Sequence, residues 1–341
     1  MKKEDPKKIL IFELNWLGDI LFSFPFIKAI KEKYPKSYIS CVVVPRYADL
    51  VKYNSNIDNL YIYSDKKGIW SFFRAIFLAI LLRKNKYDTC FFLKPSKTKS
   101  FIAKISGIKR RIGFGGKKDS VTETVTRPKN VHRAKEIFEL AKHMGIEKED
   151  IYYDFSLSES EVDDTSEFLK NLVGLDRKIV VLNPGGNWDV KRWPKENFVE
   201  LGKIIVKNHP ETSIVITGSA KDIILANEIK EKIESSRVYV LAGNTDLAEL
   251  ACIFKLSQIV ISADSGPLHL ASSTGAKVIG IFCPTTPAIT GPIGRGKTNI
   301  VCGETRCNVP CYNENCHECM QGMKNIKAKK IYEIFKSEMR L

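Results

Sequence analysis

Short apolar runs alternate with segments of helical length twice along this chain of 341 residues. Apolar runs of roughly 4–8 residues between turn residues are typical of buried strands. Because strands that alternate with helices form parallel sheets through right-handed crossovers, the pattern indicates an α/β fold. The predicted strands span 8–14, 38–44, 59–63, 88–93 and 109–114 in the first run, and 178–182, 213–217, 238–241, 258–261 and 278–282 in the second.

Two such runs predict two Rossmann-like domains that face each other across a cleft, with ligands at the carboxyl ends of the strands. We expect an N-terminal domain over 1–160 and a C-terminal domain over 175–325. Residues 326–341 predict an amphipathic helix for which packing back on the first domain is one possibility. Residues 117–130 show no clear period and predict a mobile loop.

The chain is strongly basic, with 54 Lys and Arg against 39 Asp and Glu and a formal charge of +15. Such a charge favours nucleic acid, an anionic membrane or a phosphorylated substrate as partner. Nucleic acid is disfavoured because the charge is spread out and accompanies no recognition motif. No stretch is long enough to span a bilayer, and the basic N-terminus lacks a signal-peptide pattern. These features predict a cytoplasmic protein whose cysteines are reduced.

The segment 69–82 is apolar on almost every side, with Arg74 as its one charge. One interpretation is a helix that covers the first sheet. The other is a helix that presents aromatic side chains to a bilayer interface, flanked by basic residues. The aromatic residues are Trp70, Phe73 and Phe77, and the flanking basic residues are Lys66, Lys67, Arg83, Lys84 and Lys86.

The stretch 262–271 follows a predicted buried strand and opens a helix at 266–273. Ser265 is a suitable N-cap, and Gly266 then begins the first turn. The start of a helix at a strand's carboxyl end offers N–H groups and a positive dipole to phosphate. Asp264 would face the group attached to that phosphate, although an ordinary strand-to-helix connection has the same pattern.

Polar residues cluster after several predicted strands, but the common nucleotide motifs are missing. No G-x-G-x-x-G follows the first strand and no P-loop is present, which argues against a nicotinamide dehydrogenase and a P-loop phosphotransferase. The clusters are Asn15, Gly18 and Asp19 in the first domain, and 183–191, 218–222, 264–266 and 285–286 in the second.

Several blocks in this order resemble glycosyltransferase family 9, which contains the lipopolysaccharide heptosyltransferases. The resemblance implies two Rossmann-like domains of the glycosyltransferase B type, a nucleotide-sugar donor, no catalytic metal and inversion of the anomeric centre. The blocks are the region 8–35 with its LGD loop, RRIGF at 110–114, NPGGNWDVKRWP at 183–194, TGSAKD at 217–222, the DSGPLHLA region at 264–287 and a cysteine-bearing tail.

On the acceptor side, the resemblance assigns Asp19 as the general base, with Asn15 and Gly18 beside it. A carboxylate that deprotonates the attacking hydroxyl contributes about 10²–10⁴ in rate. The alternative role for Asp19 is an N-cap of the following helix, and the two roles are compatible.

On the donor side, the resemblance places Lys191 on the diphosphate, together with the helix start at Ser265 and Gly266. The alternative for Lys191 is a solvated residue at a helix start. Gly186 and Asn187 occupy positions where relatives contact phosphate through hydroxyls. Thr285 is a further candidate for donor binding.

Two acidic residues are assigned to the donor's hydroxyl groups. Asp264 would bind the sugar, and Asp222 would bind the ribose as an acidic residue does in other Rossmann sites. Asp222 has an equally suitable role in compensating a helix N-terminus. His269 is expected to be a packed, hydrogen-bonded helix residue.

The acceptor itself is not transferable from the family. Relatives carry D-x-Q-G after the strand at 89–93, whereas this chain has Phe92, Lys94 and Pro95. Basic residues in this region suit an acceptor with phosphates or carboxylates, or they form a solvated basic face. They are Lys94, Lys97, Lys99, Lys109, Arg110 and Arg111.

Four cysteines near the C-terminus have the spacing C-x₃-C-x₄-C-x₂-C, namely Cys307, Cys311, Cys316 and Cys319. Such a spacing indicates either a structural zinc site or a group of reduced thiols, since relatives carry a similar tail without an obligatory catalytic metal.

With the family resemblance, these features lead us to expect an inverting transferase that needs no cofactor. It would move a sugar, for example heptose from ADP-heptose, onto a lipopolysaccharide core or related anionic lipid-linked glycan at the cytoplasmic face of the inner membrane. A nucleotide-sugar epimerase or hydrolase on the same fold is one alternative. A non-catalytic nucleic-acid binder is the other.

Overall fold

A computed structural model describes residues 5–64, 68–94, 96–115, 121–153 and 155–339. The chain divides into two compact units, the first ending at Ser156 and the second beginning at Leu157. Some residues of the sequence predictions lie outside the described part, namely Lys66, Lys67, Pro95 and the first part of the predicted loop at 117–130.

The first unit contains a parallel sheet in which the strand order is β3-β2-β1-β4-β5-β6. The order reverses between β1 and β4, and the carboxyl ends of these two strands therefore border the crevice where ligands bind in such folds. The strands are β1 (Lys8–Phe12), β2 (Tyr38–Val43), β3 (Asn59–Ile62), β4 (Thr89–Phe92), β5 (Arg110–Phe114) and β6 (Glu123–Val125).

The helices of the first unit bury their apolar faces against this sheet and one another. In α1, ten residues from Ile20 to Ile30 are buried, and α1 packs against α5. The helices are α1 (Leu17–Lys33), α2 (Ala48–Lys52), α3 (Trp70–Asn85), α4 (Lys97–Ile105) and α5 (Arg133–His143).

The second unit repeats the same topology, with the strand order β12-β11-β10-β7-β8-β9. Here the order reverses between β7 and β10. The strands are β7 (Lys178–Asn183), β8 (Thr212–Ile216), β9 (Val238–Val240), β10 (Ile259–Ala263), β11 (Val278–Phe282) and β12 (Thr298–Cys302).

The helices of the second unit cover both faces of its sheet. Helix α6 packs against α9 and thus belongs to this unit. The helices are α6 (Glu159–Val173), α7 (Lys195–Asn208), α8 (Ile223–Ile233), α9 (Leu247–Leu256), α10 (Gly266–Ser273), α11 (Pro287–Thr290), α12 (His317–Asn325) and α13 (Ala328–Met339).

The predicted α/β class with two Rossmann-like units is confirmed, but the loop predicted at 117–130 is wrong in its described part. This part contains β6, which pairs with β5. Helix α13, for which packing on the first domain was one possibility, packs on α7 and contributes Ile331 and Phe335 to the core of the second unit. Both contacts are tertiary, and a local pattern does not encode them.

Helix α3 has two different faces. Ala75, Leu78, Ala79 and Leu82 are buried in the first unit, as expected of a helix that covers a sheet. The opposite face is exposed, with Trp70 at 67%, Phe73 at 60% and Phe77 at 71% of their accessible surface. Across the described residues, none of the helices is both long and apolar enough to cross a membrane.

Candidate active site

A cavity of about 740 Å³ lies at the carboxyl ends of β1 and β4, at the reversal of strand order in the first unit. Asn15 and Asp19 line it from the loop and helix that follow β1, and Lys94 and Lys97 line it after β4. The structure thus brings together four of the residues that the sequence assigned to the acceptor side. Gly18 is next to Asp19 in the first turn of α1.

Other basic residues of the predicted set divide into two groups. Lys99 also lines the cavity, and its Nζ donates a hydrogen bond to the main-chain oxygen of Glu13 at 2.6 Å. Arg110 is bound to Glu123 on β6, and Arg111 donates to the carbonyl of Ile108. Arg110 thus ties β5 to the edge strand β6, and neither arginine is among the residues that line the cavity, whereas the three lysines give the cavity positive charge.

Asp19 is the third residue of α1, because the helix begins at Leu17. The N-cap position is occupied by Trp16, which makes no side-chain cap hydrogen bond. The proposed N-cap role of Asp19 is therefore wrong, although its carboxylate still benefits from the positive end of the helix dipole. Its half-buried position on the cavity wall leaves the carboxylate accessible to a ligand.

Glu13, two residues before Asn15, is a buried acid whose importance the sequence analysis missed. Ser23 Oγ donates to Glu13 Oε1 at 2.9 Å, and the Leu14 amide donates to Oε2 at 3.2 Å. Burial raises the pKa of Glu13 from 4.5 to about 7, against the opposing effect of these hydrogen bonds. A single acidic residue directly after an apolar strand was the sequence feature that could have predicted this buried acid.

In the second unit, Asp264 follows β10 and is only 6% exposed. Its Oδ2 accepts hydrogen bonds from Lys191 Nζ at 2.8 Å and Thr285 Oγ1 at 2.6 Å, and His269 Nε2 lies 3.5 Å from Oδ1. Burial alone would raise the pKa of Asp264, but His269 and Lys191 outweigh it and hold the pKa well below its usual range. Asp264 is therefore a buried, charged carboxylate.

Lys191 reaches Asp264 from the loop after β7. It ends the 3₁₀ turn Asp189–Lys191, and its Nζ lies 5.0 Å from the centre of the Trp188 ring. Arg192 closes this loop by donating twice to the carbonyl of Gly186, at 2.9 and 2.6 Å. The side chain of Lys191 retains 21% of its exposure, so a ligand can reach the ammonium group.

The start of α10 lies directly after Asp264. Ser265 occupies the N-cap position, as predicted, but its side chain makes no cap hydrogen bond. Instead Ser265 Oγ lies 3.1 Å from Ser262 Oγ. Gly266 begins the helix two residues after Asp264, the ion-pair partner of Lys191. The positive end of the α10 dipole and the ammonium group of Lys191 therefore both lie near Asp264.

Asp222 is buried and committed to local structure. Its Oδ2 accepts from the Ser219 amide at 2.9 Å and from Ser219 Oγ at 2.7 Å. A Cβ on Gly185 would lie 2.6 Å from the same oxygen, so this carboxylate packs on the backbone after β7. These contacts correspond to the helix-start role that the sequence left open for Asp222. Asn187, by contrast, is exposed.

The structure resembles solved glycosyltransferases over nearly its whole length. A glycosyl transferase family 9 protein from Veillonella parvula has a TM-score of 0.87 at 20% identity, covering 99% of this chain and 98% of that one. Escherichia coli ADP-heptose lps heptosyltransferase II has a TM-score of 0.82 at 20% identity, covering 97% and 98%. The fold is thus the α/β architecture of the glycosyltransferase B type, as predicted.

The family follows from the sequence comparisons. Residues 77–320 match the family model of glycosyltransferase family 9 (heptosyltransferase). The lipopolysaccharide core heptosyltransferase OpsX of Haemophilus influenzae is 25% identical over 299 residues, which cover 85% of this chain and 82% of the relative. The chain belongs to glycosyltransferase family 9, and it is an enzyme of the glycosyltransferase class. The matched segment includes Lys191 and Asp264, whereas Asp19 precedes it.

The raised pKa of Glu13 predicts a pH-dependent effect on stability. Below about pH 4.5 Glu13 is protonated in both the folded and the unfolded chain. Between pH 4.5 and pH 7 the unfolded chain loses this proton, whereas the folded chain keeps it. The contribution of Glu13 to the free energy of unfolding is therefore present below pH 4.5 and lost as the pH rises through 7. Glutamine does not titrate. The free energy of unfolding of Glu13→Gln, relative to that of the wild type, should therefore be roughly 3 kcal/mol higher at pH 8 than at pH 4.

Urea unfolding at a series of pH values measures this difference. Glu149→Gln is the control, because Glu149 is an exposed acid of the same unit. If the difference in free energy of unfolding between Glu13→Gln and the wild type stays constant with pH, Glu13 does not titrate in this range.

Proposed function

We propose that this enzyme transfers heptose from ADP-heptose to an anionic lipid-linked glycan such as a lipopolysaccharide core. The names of its relatives support the donor and the acceptor class, since one is an ADP-heptose lps heptosyltransferase and another a lipopolysaccharide core heptosyltransferase. The observation that carries the proposal is the ion pair between the accessible Lys191 and the buried Asp264 beside the start of α10. A diphosphate needs a cation and N–H donors, and a sugar needs a fixed acceptor of hydroxyl hydrogen bonds.

In this proposal, the ADP diphosphate takes Lys191 as its counterion when the donor binds. Asp264 keeps Thr285 and His269 as partners, so its charge stays compensated while it accepts hydrogen bonds from sugar hydroxyls. The amides at Gly266 and the dipole of α10 stabilise the charge that develops on the leaving ADP. Protein groups carry this charge, so the transfer requires no cofactor.

Asp19 is the proposed general base. An acceptor hydroxyl in the cavity of the first unit loses its proton to Asp19 as its oxygen bonds to the anomeric carbon. The bond from that carbon to the ADP oxygen breaks on the opposite face, which inverts the anomeric centre. The position of Asp19 on a cavity wall with Asn15 supports this role.

The acceptor cavity combines positive charge with apolar surface. Its lining includes three lysines, Lys94, Lys97 and Lys99, and two aromatic residues, Phe72 and Phe101. The lysines suit phosphates or carboxylates on a core sugar, and charge-assisted hydrogen bonds to such groups are the strong ones. The aromatic rings suit sugar faces or lipid.

We further propose that α3 rests on an anionic membrane, at the cytoplasmic face of the inner membrane where the acceptor would be displayed. Trp70, Phe73 and Phe77 form an exposed aromatic face. Exposed basic residues follow at the end of the helix, and each cation near an anionic surface contributes about 1 kcal/mol. They are Arg83, Lys84 and Lys86.

The donor assignment is tested with ADP-, UDP- and GDP-sugars, each with and without a lipopolysaccharide acceptor. We expect nucleotide release from ADP-heptose that depends on the acceptor. Lys191→Gln should weaken ADP binding about 10- to 100-fold, because a hydrogen bond to a charged group contributes about 1.5–3 kcal/mol. Lys195→Ala is the matched control, since Lys195 is also ion-paired, with Glu228 at 2.5 Å, but lies on α7.

If no donor in the panel is turned over with acceptor, the transferase proposal is wrong. Sugar release or isomerisation without acceptor would instead show a hydrolase or an epimerase.

Asp19→Asn removes the proposed base while keeping the size of the side chain. We expect kcat to fall about 10²- to 10⁴-fold with little change in donor binding. Asp49→Asn is the control, because Asp49 is an exposed acid of the same unit that contacts Lys52. Turnover within a few-fold of the wild type would remove Asp19 from the mechanism.

The membrane contact is tested by sedimentation with vesicles of phosphatidylglycerol and phosphatidylethanolamine. Trp70→Glu combined with Phe77→Glu should lower binding at least tenfold, since burying one large apolar side chain contributes about 1.5–3 kcal/mol. Phe168→Glu, at a residue 48% exposed on α6, is the control. Equal sedimentation of the double variant and the wild type would show that α3 does not contact lipid.

A further inference from the structure

Four cysteine sulfurs converge on one point in the second unit. The Sγ atoms of Cys307, Cys311, Cys316 and Cys319 all lie within 4.8 Å of one another. The Sγ atoms of Cys307 and Cys316 lie 3.3 Å apart. All four are free thiols, and Cys319 is fully buried.

These separations match a tetrahedral metal site. With a metal–sulfur distance of about 2.3 Å, the sulfurs at the corners of a tetrahedron lie about 3.8 Å apart. A disulfide needs about 2.05 Å between one pair of sulfurs and does not require the other pairs to be close. A group in which every sulfur neighbours every other is typical of four ligands around one ion.

Two segments of the chain build the cluster. Cys316 is the N-cap of α12 and Cys319 lies in its first turn, whereas Cys307 and Cys311 belong to the loop between β12 and α12. The Cys311 amide anchors the loop by donating to the Pro284 carbonyl at 3.1 Å.

The surrounding backbone holds the two segments together. A Cβ on Gly303 would lie only 2.5 Å from the carbonyl oxygen of Gly322, so the loop and α12 are in direct backbone contact. Thr305 Oγ1 lies 3.9 Å from Cys319 Sγ and accepts from the Cys307 amide at 3.3 Å. A hydroxyl that faces a sulfur in this way is a typical second-sphere partner of a metal-bound thiolate.

We propose that the four thiolates bind one structural metal ion of the thiolate-preferring tetrahedral class, Zn²⁺ or Fe²⁺. Binding releases the thiol protons to solvent and leaves the ion with four sulfur ligands and no open position. Such a site has no place for substrate, so it stabilises structure and does not take part in the transfer.

The metal site supports the loop that carries Lys191. Helix α12 packs against the turn Asp189–Lys191, and Tyr312, between the second and third cysteines, contacts Trp188 edge-on at 6.4 Å. At the other end of α12, the Ile326 carbonyl accepts from Trp193 Nε1 at 2.8 Å. The ion therefore fixes the helix that positions Trp188 and Lys191.

The test measures metal content in the full chain, purified under reducing conditions without a metal-binding tag. Cells are grown with zinc alone or with iron alone as the added metal. We expect one ion per chain by mass spectrometry, with four sulfur neighbours at about 2.3 Å by X-ray absorption. Cys311→Ser and Cys316→Ser should lose the ion, whereas Cys302→Ser, an exposed cysteine on β12, should keep it.

A second measurement needs no variant. Titration of the wild type with an organomercurial should release one ion per four thiols, and the amides of residues 188–192 should then exchange hydrogen about tenfold faster. The proposed metal site would be overturned if the wild type contained no more metal than Cys311→Ser. Disulfides among the four cysteines in the reduced preparation would also overturn it. Unchanged exchange at 188–192 would overturn its positioning role. Neither readout depends on the donor, so the result is separate from the proposed function.

Discussion

The ion pair between Lys191 and Asp264 ties together the segments at the carboxyl ends of the strands in the second unit. A carboxylate that is only 6% exposed stays charged only if its partners replace the lost water, and an uncompensated buried charge costs several kcal/mol. Its partners come from the loop after β7, from α10 and from the loop after β11. These segments are therefore held in one arrangement at the reversal of strand order, which is where ligands bind in folds of this type. Thr285 and His269 would still compensate Asp264 if Lys191 turned to a diphosphate, as the proposed function requires.

The two units share one topology, and each has a buried acid after a central strand, but the pKa values of these two acids are shifted in opposite directions. The carboxylate of Glu13, after β1, accepts hydrogen bonds from a serine hydroxyl and a main-chain amide, and the nearby Lys99 binds the main chain of Glu13 and not its carboxylate. Burial outweighs these groups and raises the pKa of Glu13 to about 7. Asp264, after β10, has an ammonium group and an imidazole beside it, and its pKa is held low. Desolvation acts on both acids, so the difference comes from the ammonium and imidazole groups that contact the carboxylate of Asp264 directly. Fold alone does not set the charge at such a position; the neighbouring side chains do.

Patterns local in sequence predicted local structure well. Helix α10 spans Gly266–Ser273 as predicted, and the alternation of strands and helices implied both sheets. Residues after β1 and β4 were expected to meet because parallel strands end at the same edge of a sheet, and Asn15, Asp19, Lys94 and Lys97 do line one cavity. What the sequence did not show depends on distant contacts. The inward orientation of Asp222 requires Gly185, and the three-residue β6 exists because it pairs with β5.

Helix α3 shows why its sequence supported two interpretations. Small residues such as Ala75 and Ala79 are buried in the first unit, while Trp70 and Phe77 are exposed. A helix that only covers a sheet needs one apolar face, and polar residues on the other face would favour solubility. This helix has large aromatic residues there instead, next to a basic segment and in a chain with a charge of +15. An exposed aromatic face with cations at its end fits a surface that is both apolar and negatively charged, which is the chemistry of an anionic lipid bilayer.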